Sequence, residues 1–94
     1  MPKAMWKNTV IADTERFEEV EGNVYFPPES IEFAYFKESA KTTTCPWKGT
    51  ARYYDIVVDG EVNPAAAWTY PEPKPAAVAI RNHIAFWQGV VVER

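Results

Sequence analysis

Eight prolines are spread along a chain of 94 residues and restrict the regular structure that it can form. A proline inside a helix removes a backbone hydrogen bond and clashes with the preceding turn, so helices in such a chain are expected to be short. Short strands joined by turns tolerate the same spacing. The sequence therefore predicts a mainly β fold with one or two short helical turns, one at Pro27–Ser30 and one after Pro75.

Four candidate turns divide the chain into strands. They are Lys7-Asn8, Glu21-Gly22-Asn23, Asp59-Gly60 and Gln88-Gly89. Asp59-Gly60 carries the strongest signal because Asp-Gly favours the type I′ turn of a two-residue hairpin. This turn pairs Val58 with Glu61 and Val57 with Val62. Two further predictions are that Ile31–Lys37 is extended and that His83–Trp87 and Val90–Glu93 form a closing strand pair.

Successive side chains alternate in direction along the hairpin around Asp59-Gly60, here called the central hairpin. This alternation assigns its side chains to two faces, provided that pairing continues past Pro64 without a bulge. The first, predicted to be buried, holds Trp47, Ala51, Tyr53, Val57, Val62, Ala66, Trp68 and Tyr70. The second, predicted to be exposed or to floor a polar cleft, holds Lys48, Thr50, Arg52, Tyr54, Asn63, Ala65, Ala67 and Thr69. In this register Ala51 lies opposite Trp68. Asp55 falls near Pro64 and needs partners there, such as arginine side chains or backbone amides.

Composition excludes several function classes. A net charge of −3 does not provide the basic face that a nucleic-acid binder needs. One cysteine allows neither an internal disulfide nor a paired-cysteine metal site. The longest apolar run, Ala76–Ile80, is far shorter than the ~20 residues of a membrane span, and the N-terminus does not resemble a signal peptide. We therefore expect a single cytoplasmic domain over residues 1–94, without membrane or nucleic-acid partners.

The segment from Cys45 to Tyr54 is the most informative for function. It places the single cysteine, a tryptophan, a lysine and Gly49 directly before an aromatic-rich strand. Neither strand formation nor turn formation requires this combination of residues. The segment therefore indicates where a site lies, although it does not identify the ligand or the reaction.

Several segments resemble one known family. They are Thr44-Cys45-Pro46-Trp47-Lys48-Gly49-x-Ala51-x-Tyr53-Tyr54, Ala66-Ala67-Trp68-x-Tyr70-Pro71-x-Pro73, His83-x-Ala85-Phe86, Val10–Thr14 and Tyr25–Glu29. Together they resemble the bacterial family known as domain of unknown function 427, over nearly the whole chain. The resemblance implies a β-tent, in which two small antiparallel sheets lean together over a central cavity.

Related tents include methionine sulfoxide reductase B, yippee proteins and the ligand-binding domain of cereblon. Many tents hold a structural zinc through four cysteines. Cys45 alone departs from that pattern, so neither a metal nor another cofactor is expected. A nucleotidyltransferase activity is sometimes attached to the family by name, but this chain lacks the Gly-Ser and paired-aspartate signature of such enzymes.

Three classes of function remain open. The first is a ligand-binding module whose site residues are Trp47, Lys48, Tyr53, Tyr54, Trp68, Tyr70 and Phe86, with His83 nearby; aromatic cages of this kind bind flat or cationic ligands. The second is a thiol-dependent enzyme with Cys45 as nucleophile and His83 as base. The third is an interaction domain that exposes a sheet edge at Val90–Val92. Each of these residues can instead serve the fold, as a buried inert thiol, a packed imidazole or a core ring.

Overall fold

The structure, a computed structural model, describes residues 1–94 and is built almost entirely from strands. The strands are β1 (Lys3–Trp6), β2 (Thr9–Asp13), β3 (Glu18–Val20), β4 (Asn23–Tyr25), β5 (Phe36–Cys45), β6 (Gly49–Val58), β7 (Glu61–Thr69), β8 (Ile84–Phe86) and β9 (Val91–Glu93). Short 3-10 turns span Pro28–Ser30, Phe33–Tyr35 and Pro75–Ile80. The predicted mainly β fold with short helical turns is confirmed. No helix has the length and apolar character that crossing a membrane would require.

The strands form three antiparallel sheets. The orders are β2-β1-β9, β3-β4 and β5-β6-β7-β8. β4 is tied to the largest sheet because Phe26 and Ile84 exchange backbone hydrogen bonds of 2.8 Å in both directions. The two ends of the chain meet in the first sheet, where β1 lies between β2 and β9. The predicted edge at Val90–Val92 is therefore present, since β9 is an outer strand.

The turn predictions hold at three hairpins and fail at the fourth. Asp59-Gly60 has φ values of 51° and 78°, and it pairs Val58 with Glu61 as predicted. Gln88-Gly89 is also a turn, but the strands on either side of it do not pair with each other. β8 pairs with β7 and β9 pairs with β1. Trp87 explains the separation, because its backbone and indole N–H groups bond to the carbonyls of Ala66 and Ala65 in β7, at 3.0 and 2.6 Å.

A bulge after Pro64 changes the register of the central hairpin. Ala65 adopts a φ of 51°, and its N–H donates a 2.8 Å hydrogen bond to the Asp55 carboxylate. The partner of Asp55 is thus a backbone amide, one of the predicted alternatives. Beyond the bulge Trp68 lies opposite Tyr53, so the prediction that it faces Ala51 is wrong. Proline has no backbone N–H to donate to the neighbouring strand, so the unpaired residues of the bulge in β7 lie next to Pro64.

The central hairpin also differs from prediction in which side chains are buried. Val62 is 54% exposed, whereas Ile56 and Val58 are buried, so the prediction that Val57 and Val62 lie on the buried face is wrong. Apolar clusters cover both faces of the largest sheet, one around Phe26 and Ile56 and the other around Tyr25. A strand covered on both sides does not show simple alternation of apolar and polar residues.

The segment before β5 also differs from prediction. Ile31–Lys37 is not continuously extended, because Phe33–Tyr35 forms a 3-10 turn and β5 begins at Phe36. The turn brings the ring of Phe33 to within 5.8 Å of the Phe36 ring and 6.2 Å of the Tyr54 ring, measured between centroids. The contact with Tyr54 joins distant segments, and alternation within one segment cannot predict it.

Candidate ligand-binding cleft

The turn between β5 and β6 positions the candidate site. Cys45 and Gly49 pair as the last and first residues of these strands. The Lys48 carbonyl accepts a 2.9 Å hydrogen bond from the Lys74 N–H, and the Lys74 ammonium donates to the Pro46 carbonyl at 2.7 Å. The proline-rich connector around Lys74 therefore packs directly against the turn. Gly49 permits this approach, since a Cβ there would lie 3.3 Å from the carbonyl oxygen of Glu72.

Lys48 is nearly buried, with only 8% of its surface exposed. Its ammonium group forms an ion pair with Glu21 and lies 5.4 and 5.7 Å from the ring centroids of Trp47 and Tyr70. Alternation had assigned Lys48 to the opposite face, beside Arg52, and this prediction is wrong. Lys48 lies in the turn and not in a strand, so strand alternation does not set its direction.

The ion pair shifts the pKa values of both partners. The hydrogen bond from Lys48, followed by its positive charge, lowers the pKa of Glu21. Burial of the ammonium acts to lower the pKa of Lys48, but the bond to Glu21 and the nearby Tyr25 and Tyr70 outweigh it and raise that pKa. Both groups are therefore charged at neutral pH.

Lys48 and four aromatic rings line an open cavity of about 180 Å³. This aromatic cleft is lined by Lys48, Tyr53, Trp68, Tyr70 and Trp87. The rings of Trp68 and Trp87 meet edge to face with centroids 6.1 Å apart, and Tyr53 lies 6.4 Å from each of them. The indole N–H of Trp68 donates to the Tyr25 hydroxyl at 3.1 Å, which holds the Trp68 ring in place.

A second lysine covers the rings of this cleft. The ammonium of Lys41, on β5, lies 4.8 Å from the Tyr53 ring centroid and 5.1 Å from that of Trp87. Cations are attracted to the faces of aromatic rings, so this geometry is favourable. Sequence reasoning identified neither Lys41 nor Trp87 as a site residue. Lys41 lies within a register irregularity between Glu38 and Thr42, and no local pattern predicts its position.

A model of the family described as Domain of unknown function (DUF427) matches residues 3–94. The chain belongs to this family. No curated protein matches the chain at a significant level. The match covers every residue of the aromatic cleft, together with the turn that positions Lys48.

In this DUF427 domain the predicted ligand-binding residues divide between two faces of the sheet. Lys48, Tyr53, Trp68 and Tyr70 meet in the aromatic cleft, and Trp47 lies beside Lys48 with 40% of its surface exposed. Tyr54 and Phe86 do not join them. Phe86 is buried against Phe26 and Phe36, at centroid distances of 5.5 and 6.0 Å, and Tyr54 packs on Phe36 at 5.7 Å.

The two predicted catalytic residues lie outside the aromatic cleft. Cys45 is half-buried and packs against the apolar cluster of Tyr25 and Tyr70. His83 borders a separate groove, together with Arg16, and its Nδ1 lies 2.9 Å from the Arg81 carbonyl oxygen. No group of three or more His, Cys, Asp or Glu side chains is placed so that it could hold a metal ion.

Stability is expected to depend on pH through Lys48 and Glu21. A lowered carboxyl pKa stabilises the fold above the unfolded pKa, and this contribution is lost as the pH falls below about 4. A raised lysine pKa stabilises the fold below the unfolded pKa, and this contribution is lost as the pH rises above about 10.5. The stability difference between the wild type and Glu21→Gln should thus be largest near neutral pH and shrink at both extremes.

Urea unfolding across this pH range measures that difference. Glu15→Gln is the matched control, because Glu15 is exposed and belongs to none of the three ion pairs. A Glu21→Gln difference that stays constant from acid to alkaline pH would contradict the assignment of the ion pair.

Proposed function

We propose that the aromatic cleft binds a small aromatic acid, with its ring against the tryptophans and its carboxylate near the lysines. The observation that carries this proposal is the nearly buried Lys48 at an open aromatic cavity. The ion pair with Glu21 offsets part of the cost of burying this cation, and an apolar side chain would complete the packing without that cost. A charged group beside the cavity therefore supports a role in binding an anion.

The size and charge of the cleft support a small anionic ligand. Its volume of about 180 Å³ is below the ~300–1,000 Å³ of pockets that hold drug-sized molecules, and it suits one or two rings. Lys41 forms no ion pair, since the three pairs in the structure involve other residues. A ring entering the cleft displaces Lys41 from the aromatic faces, and the ligand carboxylate then offers Lys41 a partner of opposite charge.

Binding can be tested with benzoate and indole-3-acetate, with benzamide and indole-3-acetamide as their uncharged counterparts. We expect the acids to shift the indole N–H signals of Trp68 and Trp87 in two-dimensional NMR spectra. Lys41→Met and Lys48→Met should each weaken binding of the acids by roughly tenfold, the value of a charge-assisted hydrogen bond. Methionine preserves much of the side-chain length, so both variants should remain folded, with Lys48→Met less stable because it loses the ion pair with Glu21.

Lys7→Met is the matched control for both variants. Lys7 also lies over a tryptophan, at 5.5 Å from the Trp6 ring centroid, but it is outside the cleft. Its replacement should leave binding unchanged. The proposal fails if neither acid shifts the Trp68 and Trp87 signals at millimolar concentration, or if Lys7→Met weakens binding as much as Lys48→Met.

A further inference from the structure

A second and larger cleft lies on the opposite face of the same sheet. Its volume is about 480 Å³, and six of the side chains around it matter here: Phe33, Glu38, Arg52, Tyr54, Thr69 and Asn82. In the register of β6 and β7, Arg52 pairs with Thr69 and the neighbouring Tyr53 pairs with Trp68. Because successive side chains of a strand point to opposite faces, Arg52 and Thr69 of this polar cleft lie on the face opposite Tyr53 and Trp68, and Tyr53 borders both clefts.

Thr69 provides the first indication of a ligand. It is only 6% exposed, and its hydroxyl is the one buried side-chain polar atom in the structure that has no hydrogen-bond partner. Leaving a buried hydroxyl unpaired costs about 1–3 kcal/mol, and valine would fill the same volume without this cost. Thr69 lines the polar cleft, so a bound molecule can supply the missing partner.

Two unpaired charges of opposite sign provide the second indication. Arg52 and Glu38 both line the polar cleft, and neither belongs to any of the three ion pairs. Glu38 is paired across the strands with Tyr54, two residues along β6 from Arg52, so the two charges occupy diagonal positions. Burial, followed by the negative charge of Glu38, raises the pKa of Tyr54. Long side chains at a diagonal can bracket a molecule between them.

The remaining walls supply apolar contact and a further polar group. The rings of Phe33 and Tyr54 meet with centroids 6.2 Å apart along one side. Asn82, with a φ of 60°, stands on the loop before β8 and donates its backbone N–H to the Tyr70 carbonyl at 3.1 Å. Its side-chain amide makes no hydrogen bond within the protein and is available to a ligand.

We infer that the polar cleft binds a small zwitterion of the amino-acid type. The guanidinium of Arg52 offers the paired donors that a carboxylate prefers, and Glu38 accepts from an ammonium group. The Thr69 hydroxyl forms its missing hydrogen bond with the ligand, and the rings of Phe33 and Tyr54 contact the ligand's apolar side chain. The inference concerns a second site and does not depend on the function proposed for the aromatic cleft.

Three related probes test the charge requirement. Phenylalanine carries both charges, N-acetylphenylalanine lacks the ammonium, and phenylalanine amide lacks the carboxylate. We expect phenylalanine to bind most tightly and to shift the backbone NMR signals of Arg52 and Thr69. Glu38→Gln should abolish the preference for phenylalanine over its N-acetyl form, and Arg52→Met should abolish the preference over its amide.

Thr69→Val separates binding from stability. It should raise the denaturation midpoint, because an unpaired buried hydroxyl is removed, while it weakens phenylalanine binding about fivefold. Thr50→Val is the matched control, since Thr50 is an exposed residue of the same strand as Arg52 and lies outside the cleft. Phenylalanine is also an aromatic acid, so its binding to the polar cleft is read from the Arg52 and Thr69 signals. These shifts should persist in Trp87→Ala, which disrupts the aromatic cleft. The inference is overturned if phenylalanine binds no better than both derivatives, or if Thr69→Val leaves binding unchanged.

Discussion

Replacing Trp68 with alanine is expected to lower the free energy of unfolding by about 3 kcal/mol, the lower end of the range for large aromatic side chains lost from a core, because the ring is only partly buried. The ring meets Tyr25 edge to face at a centroid distance of 6.2 Å and also contacts Tyr53 and Trp87. Tyr25 is fully buried and loses the hydrogen bond to its hydroxyl in this variant. The cost of the cavity and the cost of the unpaired hydroxyl therefore add.

Chemical denaturation of three tryptophan variants measures this effect. Trp68→Phe keeps most of the ring and loses the N–H, so it should lower the free energy of unfolding by only part of the loss expected for Trp68→Ala. Trp47→Ala is the surface control, because Trp47 is 40% exposed, and it should cost about 1 kcal/mol or less. Equal losses at Trp68 and Trp47 would show that Trp68 does not support the fold.

Replacing Gly49 with alanine is expected to cost about 3 kcal/mol, from strain and from a collision. Gly49 has a φ of +115°, a conformation that residues with a Cβ rarely adopt. The added Cβ would lie 3.3 Å from the Glu72 carbonyl oxygen and 3.5 Å from the Lys74 nitrogen. Both neighbours are backbone atoms, so relieving the contact moves the connector away from the turn. The hydrogen bond that joins the Lys74 N–H to the Lys48 carbonyl is then weakened.

Gly60→Ala separates the two contributions. Gly60 has a φ of +78°, and a Cβ there meets no atom within 4 Å. Its replacement should cost only the ~1–2 kcal/mol of a left-handed conformation. The measurement is the free energy of unfolding of both variants, together with the NMR signals of Lys48 and Lys74. If Gly49→Ala costs no more than Gly60→Ala, the close approach of the connector does not stabilise the turn.

The central hairpin shows how far strand pattern can predict the site. Tyr53, Trp68 and Tyr70 were assigned to one face, and all three line the aromatic cleft even though the register past Pro64 was wrong. The bulge moves the pairing by two residues, and a shift of two restores the same face. A shift of one residue would have sent Trp68 to the opposite side.

Other site residues could not be placed by pattern. Lys48 lies in a turn, and its direction depends on Glu21, which belongs to the hairpin of β3 and β4. Trp87 joins the aromatic cleft because its N–H groups bond to the bulge in β7. Thr69 and Arg52 were assigned to a face that could floor a polar cleft, but only the packing of Phe33 above that face encloses the cavity.

The sequence by itself determined the short strands and the turns that separate them. Proline spacing excludes long helices, and Asp59-Gly60 specifies a tight hairpin through the conformations of its own two residues. The tertiary structure decided which strands share a sheet, where Lys48 is buried and which rings face it. The physical reason is range: turn chemistry acts within a few residues, whereas ion pairs, edge pairing and ring contacts join segments that only the folded chain brings together.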